Sequence, residues 1–456
     1  MINNRQPLAT SSTKALLPWL ICGMGMLYYC YNYFLRVSPS VMQNELMQNF
    51  HITAYQFGNL AAFYYYAYTP MQVPAGMLFD KYGARQVLFF ACLTAVVGLG
   101  VFITADNYAF AALGRFLIGL GTAFSYIGTL KLASIWLPSN RFATAAGLTT
   151  AVGMSSAIFS QTYLTKVLQL VGYKQALGSV LLLGIALSVA IYFLVRNRPK
   201  NQLNPQGHLA TPMDMSQLMK SLRFIFTNPQ MWIIGGISCL TYLPASVFLD
   251  LWGIPYLKTV YQLSPEQAAY ISSCAFIGWI IAGPTMGAFS DKIKRRRTPL
   301  LFAGTAGATM LSIVFYMPGL SFTELSLAFF MLGFSCGAHP ICFAIGKENN
   351  PIQISGTAVA ATNMLTMTGG ALFQPLIGKL LDWHANGALG PNGLPLYTAQ
   401  DYSFALSVIP MGVASGVILC MFLKETYCRS QAKEEDIRVF ASSTQPGLTP
   451  EPEAAS

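Results

Sequence analysis

Apolar runs of about 20 residues recur along almost the whole chain, the length an α-helix needs to cross ~30 Å of hydrocarbon. Lipid offers no partner for backbone N–H and C=O groups, so each run must satisfy its own by folding as a helix. The runs predict spans near residues 14–36, 55–79, 86–104, 108–138, 142–166 and 173–195. A second set follows near 230–257, 267–289, 299–317, 323–345, 354–381 and 402–423. The fold class is therefore an all-α membrane protein of about twelve transmembrane helices, in two pseudo-symmetric six-helix bundles. The expected divisions are a cytoplasmic N-terminal tail (1–13), a first bundle (14–196), a cytoplasmic linker (197–228), a second bundle (229–424) and a disordered cytoplasmic tail (425–456). Only 10% of the residues are charged, against about 25% in soluble proteins. Within the linker, residues 213–226 have an amphipathic pattern suited to the membrane surface.

The net charge of +10 could suggest a nucleic-acid partner. Its distribution argues against one, because the basic residues recur in alternate loops instead of along one stripe. Arg85, Arg141, Arg196, Lys220 and the run Lys294–Arg297 fall on one side of the predicted bundle. The other side keeps only Arg36, Lys166, Lys174, Lys258 and Lys379. This bias places both termini in the cytoplasm, with a bacterial inner membrane the expected location. The nine cysteines are scattered, mostly inside apolar runs, without metal-ligand spacing. They read as small apolar fillers, and no metal or cofactor is expected. The first apolar run is a full span without a small-residue cleavage site, unlike a signal peptide. No GxxxxGK[ST] loop is present to bind ATP.

The halves repeat one another. Residues 76–85 read GMLFDKYGAR, a polar hairpin between two spans, and residues 287–297 read GAFSDKIKRRR. Gly76, Asp80 and Lys81 match Gly287, Asp291 and Lys292 at one constant offset, and Gly83 and Arg85 complete the first copy. Gly119 in span four and Gly333 with Gly337 in span ten stand at comparable depth. Repeated six-span halves are the plan of transporters with a substrate site between them near the midplane. The plainer reading of the hairpins is anchoring to lipid headgroups.

On these motifs the sequence resembles the major facilitator superfamily over nearly its whole length. Residues 76–85 match that superfamily's loop signature, and RFLIGLG at 115–121 is similar to its span-four signature. The segments NYFLRVSPSV (32–41) and KLASIWLPSNRFATAAG (131–147) resemble its organic anion symporter branch more weakly. In that branch the span-one arginine is linked to binding the substrate's carboxylate, which implies this role for Arg36. Two acids linked to proton coupling in the branch are missing here: Leu35 precedes Arg36, and Thr122 stands where a glutamate is common. Residues 147–156 lack the Gly-Pro signature of drug antiporters.

Polar residues inside spans are costly and are functional candidates. Tyr29, Tyr33 and Arg36 share one helix face, flanked by Asn32. Arg36 can hold a carboxylate through two parallel hydrogen bonds, or snorkel to the outer headgroups. Arg115, Asp250 and His339 are the candidates for coupling. Asp250 can trade a proton in a partly wet cavity, or simply pair with Lys258. His339, before Pro340, can titrate, or be merely hydrogen-bonded. Trp252, Asn363, Gln374 and the cluster Tyr64, Tyr65, Tyr66 and Tyr68 are expected cavity lining. Glu348, beside Lys347, is a candidate latch.

These features imply a secondary transporter, not an enzyme. It would move a small polar metabolite (an organic acid, amino acid or short peptide) by alternating access, with a proton or Na⁺ as the co-transported partner. A monomer is the expected assembly. Proton-coupled efflux of drugs or siderophore-like compounds is an alternative, as is a non-transporting membrane sensor. Asp80 falls near the expected start of span eleven, and Asp291 near that of span five. A carboxylate at a helix N-terminus is stabilised by roughly 0.3–1 kcal/mol, so the two aspartates are expected to latch the halves when the cytoplasmic side is closed. Asp80→Asn should then bias the carrier toward inward-open states. Unchanged cysteine accessibility on both faces would leave the hairpins as anchors only.

Overall fold

The computed structural model describes residues 12–197, 214–317, 319–390, 393, 395–434 and 436. Most of the expected N-terminal tail, the middle of the linker and the end of the C-terminal tail lie outside the described residues. The described chain is helical, apart from short turns and one isolated bridge between Leu389 and Pro395. The first half runs α1 (Ser12–Val37), α2 (Gln43–Phe50), α3 (Ala54–Tyr82), α4 (Ala84–Thr104), α5 (Tyr108–Thr122), α6 (Ser125–Trp136) and α7 (Ser139–Leu194). A short amphipathic helix, α8 (Met215–Thr227), precedes the second half. That half comprises α9 (Pro229–Thr241), α10 (Gly253–Val260), α11 (Pro265–Ile293), α12 (Arg297–Tyr316), α13 (Phe322–Cys336), α14 (Pro340–Glu348), α15 (Ser355–Ala385), α16 (Ala399–Leu406) and α17 (Val408–Leu419).

By length and composition, eight helical stretches among the described residues can cross a membrane. One of them, Asn140–Leu194, is 55 residues long. It crosses twice, because Gly172, at φ 77°, interrupts the helical backbone. The long helices α1, α3 and α15 are more polar but have 26, 29 and 31 residues, ample for a span. Counting these gives twelve crossings. Helix α2 was not anticipated, since its sequence QNELMQNF has no membrane-length apolar run.

The repeat is visible in local chemistry. Helices α3 and α11, the second span of each half, both open on a capping box: Thr53 with Gln56, and Ser264 with Gln267. Each box satisfies two otherwise unpaired N–H groups at the helix start. The fourth span of each half is broken at matching depth, between α5 and α6 at Ala123 and Phe124, and between α13 and α14 around His339. Just before each break a glycine lets two helices touch. A Cβ on Gly119 would collide with the Tyr64 carbonyl on α3, and one on Gly333 with the Ala275 carbonyl on α11. Span seven is also irregular: between α9 and α10 the segment Pro244–Trp252 winds as a π-helix, and it carries Asp250. Wide turns of this kind are frequent at functional sites.

The C-terminal tail does not leave the bundle at residue 425 as a free chain. The carboxylate of Glu425 accepts hydrogen bonds from the N–H groups of Arg296 (2.7 Å) and Arg297 (3.0 Å), which open α12. Thr426 donates to Glu348 at 2.5 Å. Four unpaired N–H groups at a helix start attract a carboxylate, and this interaction holds the first tail residues against the hairpin.

Forcing a methyl group into the α11–α13 contact should cost about 1–3 kcal/mol, as overpacking does. Gly333→Ala should therefore lower the melting temperature in detergent. Gly147→Ala, where a Cβ meets nothing within 4 Å, should leave it unchanged.

Candidate functional site

A cavity of about 710 Å³ separates the halves, within the roughly 300–1,000 Å³ of small-molecule sites. Its wall carries Tyr29, Tyr33 and Arg36 from α1, Tyr68 and Gln72 from α3, Tyr126 from α6, and Met154 from α7. The other half contributes Tyr242, Trp279, His339, Phe343 and Asn363. The lining continues to Asp80 and Lys347, both at the surface. The cavity thus opens on the face that bears the two Asp-Lys hairpins.

Arg36 closes the other end. Its Nε and Nη2 both lie 2.7 Å from Oδ2 of Asp250, which belongs to the opposite half. Tyr65 donates to the same oxygen at 2.9 Å, and Nη2 also reaches the Tyr242 hydroxyl at 3.4 Å. Three tyrosine rings surround the guanidinium, with Tyr33, Tyr65 and Tyr242 at 5.0, 5.2 and 5.9 Å from its centre. The two charged side chains are only 3% and 2% exposed. Removing one partner of such a buried pair typically costs about 3–5 kcal/mol. The pair therefore resists separation of α1 from the π-helical segment.

Beyond Arg36 the halves are sealed by further polar bonds. Asp382, in α15, accepts from the N–H groups of Ala54 (3.1 Å) and Tyr55 (3.0 Å), which start α3. Tyr397 donates to Asp382 at 2.5 Å, and accepts from Ala54 N–H at 2.9 Å. Gln43 of α2 donates to Tyr402 of α16 at 3.2 Å. Gln161 reaches the Leu249 carbonyl at 3.2 Å. Phe57 packs edge-on against Trp252 at 5.5 Å.

The sequence profile of the Major Facilitator Superfamily matches residues 21–374. The chain belongs to the Major Facilitator Superfamily. It is 24% identical over 339 residues to the probable sulfoacetate transporter of Cupriavidus necator, covering 69% of this chain and 76% of that one. It is 24% identical over 416 residues to the probable galactarate/D-glucarate transporter of Escherichia coli, covering 81% and 89%. In fold it is similar to a bacterial homologue of the human lysosomal transporter Spinster, solved inward-facing and unoccupied. That match has a TM-score of 0.67 at 13% identity and covers 97% of this chain and 100% of the other. The family and these relatives make the chain a multi-pass membrane transporter, not an enzyme.

The superfamily architecture sorts the residues singled out from sequence. Tyr29, Tyr33, Arg36, His339 and Asn363 line the cavity, and Asp250 lies directly behind Arg36. Asn363 donates to Gln72 across the two halves at 2.6 Å. His339 shares a 3.1 Å hydrogen bond with Ser238.

Besides Asp250, seven others stand outside the lining. Of the tyrosine cluster only Tyr68 reaches the cavity: Tyr64 donates to Asn32, Tyr65 to Asp250 and Tyr66 to Asn59. Asn32 donates to Ser125 at 3.0 Å and accepts from Tyr64 at 2.6 Å, within the first half. Arg115 donates to the Leu35 carbonyl at 2.8 Å and lies over the Tyr64 ring, so it braces the backbone next to Arg36. Trp252 donates to the Gln374 carbonyl at 3.2 Å, while the Gln374 amide donates to Ser246 at 2.7 Å. These two fix the π-helical segment to α15. The alternative pairing of Asp250 with Lys258 is corrected, because burial brings Asp250 to Arg36 instead.

At the hairpin face each aspartate bonds within its own half. Asp80 pairs with Lys131 at 2.5 Å, and Asp291 with Arg296 at 2.6 Å. Asp80 and the start of α15 lie on the wall of one open cavity, and among the described residues neither hairpin aspartate has an ion pair to the opposite half. Lys81 sits over the Tyr82 ring, and Lys292 is exposed. Gly76 lines the cavity, while a Cβ on Gly287 would meet nothing within 4 Å. Gly83, at φ 82°, turns the first hairpin, and Arg85 donates to the Tyr192 carbonyl at 2.8 Å. Glu348 bonds Arg296 at 2.7 Å and not its neighbour Lys347. Burial opposes the Arg296 charge, but Glu348 and Asp291 outweigh it and raise its pKa.

Sequence reasoning missed Tyr242 and Asp382. Tyr242 falls where α9 ends and the π-helical turn begins, so an α-helical face count does not connect it with Asp250. Asp382 is a lone acid near a helix end, ordinary until α3 is placed against it. Asp382→Ala removes a charged acceptor, worth about 1.5–3 kcal/mol per hydrogen bond. The seal on that face should then open more often. A cysteine placed at Gln43 should react several-fold faster with a membrane-impermeant thiol reagent.

Proposed function

We propose that this protein is a secondary active transporter for a small organic acid, working by alternating access. The observation that carries the reading is Arg36. It is a buried cation at the blind end of a tyrosine-lined cavity, and it is held by an acid from the other half. A planar guanidinium matches a carboxylate bidentately, and the surrounding tyrosines offer hydroxyls and apolar faces to the rest of the solute. The two relatives named for sulfoacetate and for galactarate or D-glucarate support an acidic cargo.

The excess of basic residues in the loops on the hairpin side supports a cytoplasmic hairpin face, and on that reading the conformation described is inward-open. A proton or Na⁺ would supply the driving force, in a bacterial inner membrane with both termini inside. The hairpin aspartates Asp80 and Asp291 would engage the opposite half only once that face closes. The expected unit of transport is a monomer.

The test is uptake of D-glucarate, D-galactarate and sulfoacetate into proteoliposomes, with and without an imposed pH or Na⁺ gradient. Arg36→Ala should abolish uptake at unchanged expression. Arg36→Lys, a point charge without the fork, should lower it at least about tenfold. Undiminished uptake by Arg36→Ala would sink the assignment.

A further inference from the structure

Resting on the organic-acid reading, we infer that Asp250 is the proton-coupling group, and that it works by competing with the substrate's carboxylate for Arg36. The geometry is that of an exchangeable partner. Both Arg36 nitrogens that engage Asp250 converge on a single oxygen. Among the described residues Nη1 has no hydrogen-bond partner, and Arg36 lines the cavity. A solute carboxylate approaching from the cavity can therefore meet the free edge of the fork while Asp250 still holds the other.

One guanidinium inside a low-dielectric site cannot favourably serve two carboxylates at full charge. Like charges sharing a site push one of them to bind a proton. Asp250 takes that proton from water, becomes a neutral carboxylic acid and releases Arg36 to the solute. On the release side the order reverses. The solute leaves, the proton returns to water, and the Arg36–Asp250 pair re-forms. Proton and solute thus move together, in a ratio of one proton per bound carboxylate.

Among the described residues the groups that face Asp250 include no second carboxylic acid. They are Arg36 and Tyr33 from α1, Tyr65 from α3, Tyr242 at the end of α9, and Cys336 from α13. Helix α15 contributes the uncharged Gln374 to the same segment. Tyrosine and cysteine ordinarily titrate near 10 and 8.5, well above a carboxylic acid. The pair also lies across the two halves, so its state reports directly on whether they can part.

The experiment uses the full chain in proteoliposomes, with D-glucarate, D-galactarate and sulfoacetate as probes. Wild type should accumulate at least one of them on an inward proton gradient. Asp250→Asn should lose that accumulation yet keep exchange of labelled for unlabelled probe. Gradient-driven accumulation by Asp250→Asn overturns the inference. So does loss of exchange in Asp250→Asn while Asp250→Glu still transports, since the charge would then be needed for movement of the site itself. Should Asp250→Asn not fold, wild type alone decides. In weakly buffered detergent solution, binding of the probe should take up one proton. Its affinity should fall about tenfold for each pH unit of increase above neutrality. Proton-independent binding overturns the proposal. Failure of wild type to bind or move any of the three probes removes the organic-acid reading, and the inference with it.

Discussion

One buried ion pair organises the molecule. Arg36 and Asp250 come from opposite halves and meet where lipid-depth packing has removed nearly all water. Neither could sit there alone at acceptable cost. The pair therefore makes each half the condition for the other's stability on that side. Around it the rest follows: three tyrosine rings contact the guanidinium, Arg115 holds the backbone beside it, and a π-helical turn brings the acid into reach. The cavity is the space that remains on the other side of this contact.

Helix α3 shows how the remaining contacts are distributed. Its start is bonded to Asp382 of α15, and Asp80 near its end lies on the cavity wall across from the beginning of α15. Between these ends, on the cavity wall, Gln72 and Asn363 join the same two helices. Helices α3 and α15 thus join the two halves from the sealed end down into the cavity.

Much of this was legible in the sequence, for physical reasons. Spans are readable because hydrocarbon permits little besides helices, and the repeat because Gly76, Asp80 and Lys81 recur intact in the second half. Arg36, Asp250 and His339 stood out because ionisable groups are rare at that depth. Partnerships were less legible. Nothing local to Asp250 distinguishes Lys258, a neighbour in sequence, from Arg36, which belongs to the other half. The cluster Tyr64–Tyr66 signalled that at least one ring must face away. Tyr66 is the exposed one, while Tyr64 and Tyr65 are buried. Asn32, Trp252 and Gln374 are polar residues in spans, and the pattern alone could not separate those that brace helices from those that line a cavity.

The docked tail has a consequence for how the protein is made. Glu425 is synthesised 128 residues after Arg297, yet its carboxylate completes the start of α12. Domains generally fold in the order of synthesis, N-terminal first. The first half and its hairpin can be finished while the second is still being translated. The second hairpin cannot be completed as early, because its capping group arrives only after α17 has been made. The two copies of an otherwise repeated motif are thus completed on different schedules, and the second is closed by a residue that follows the last span.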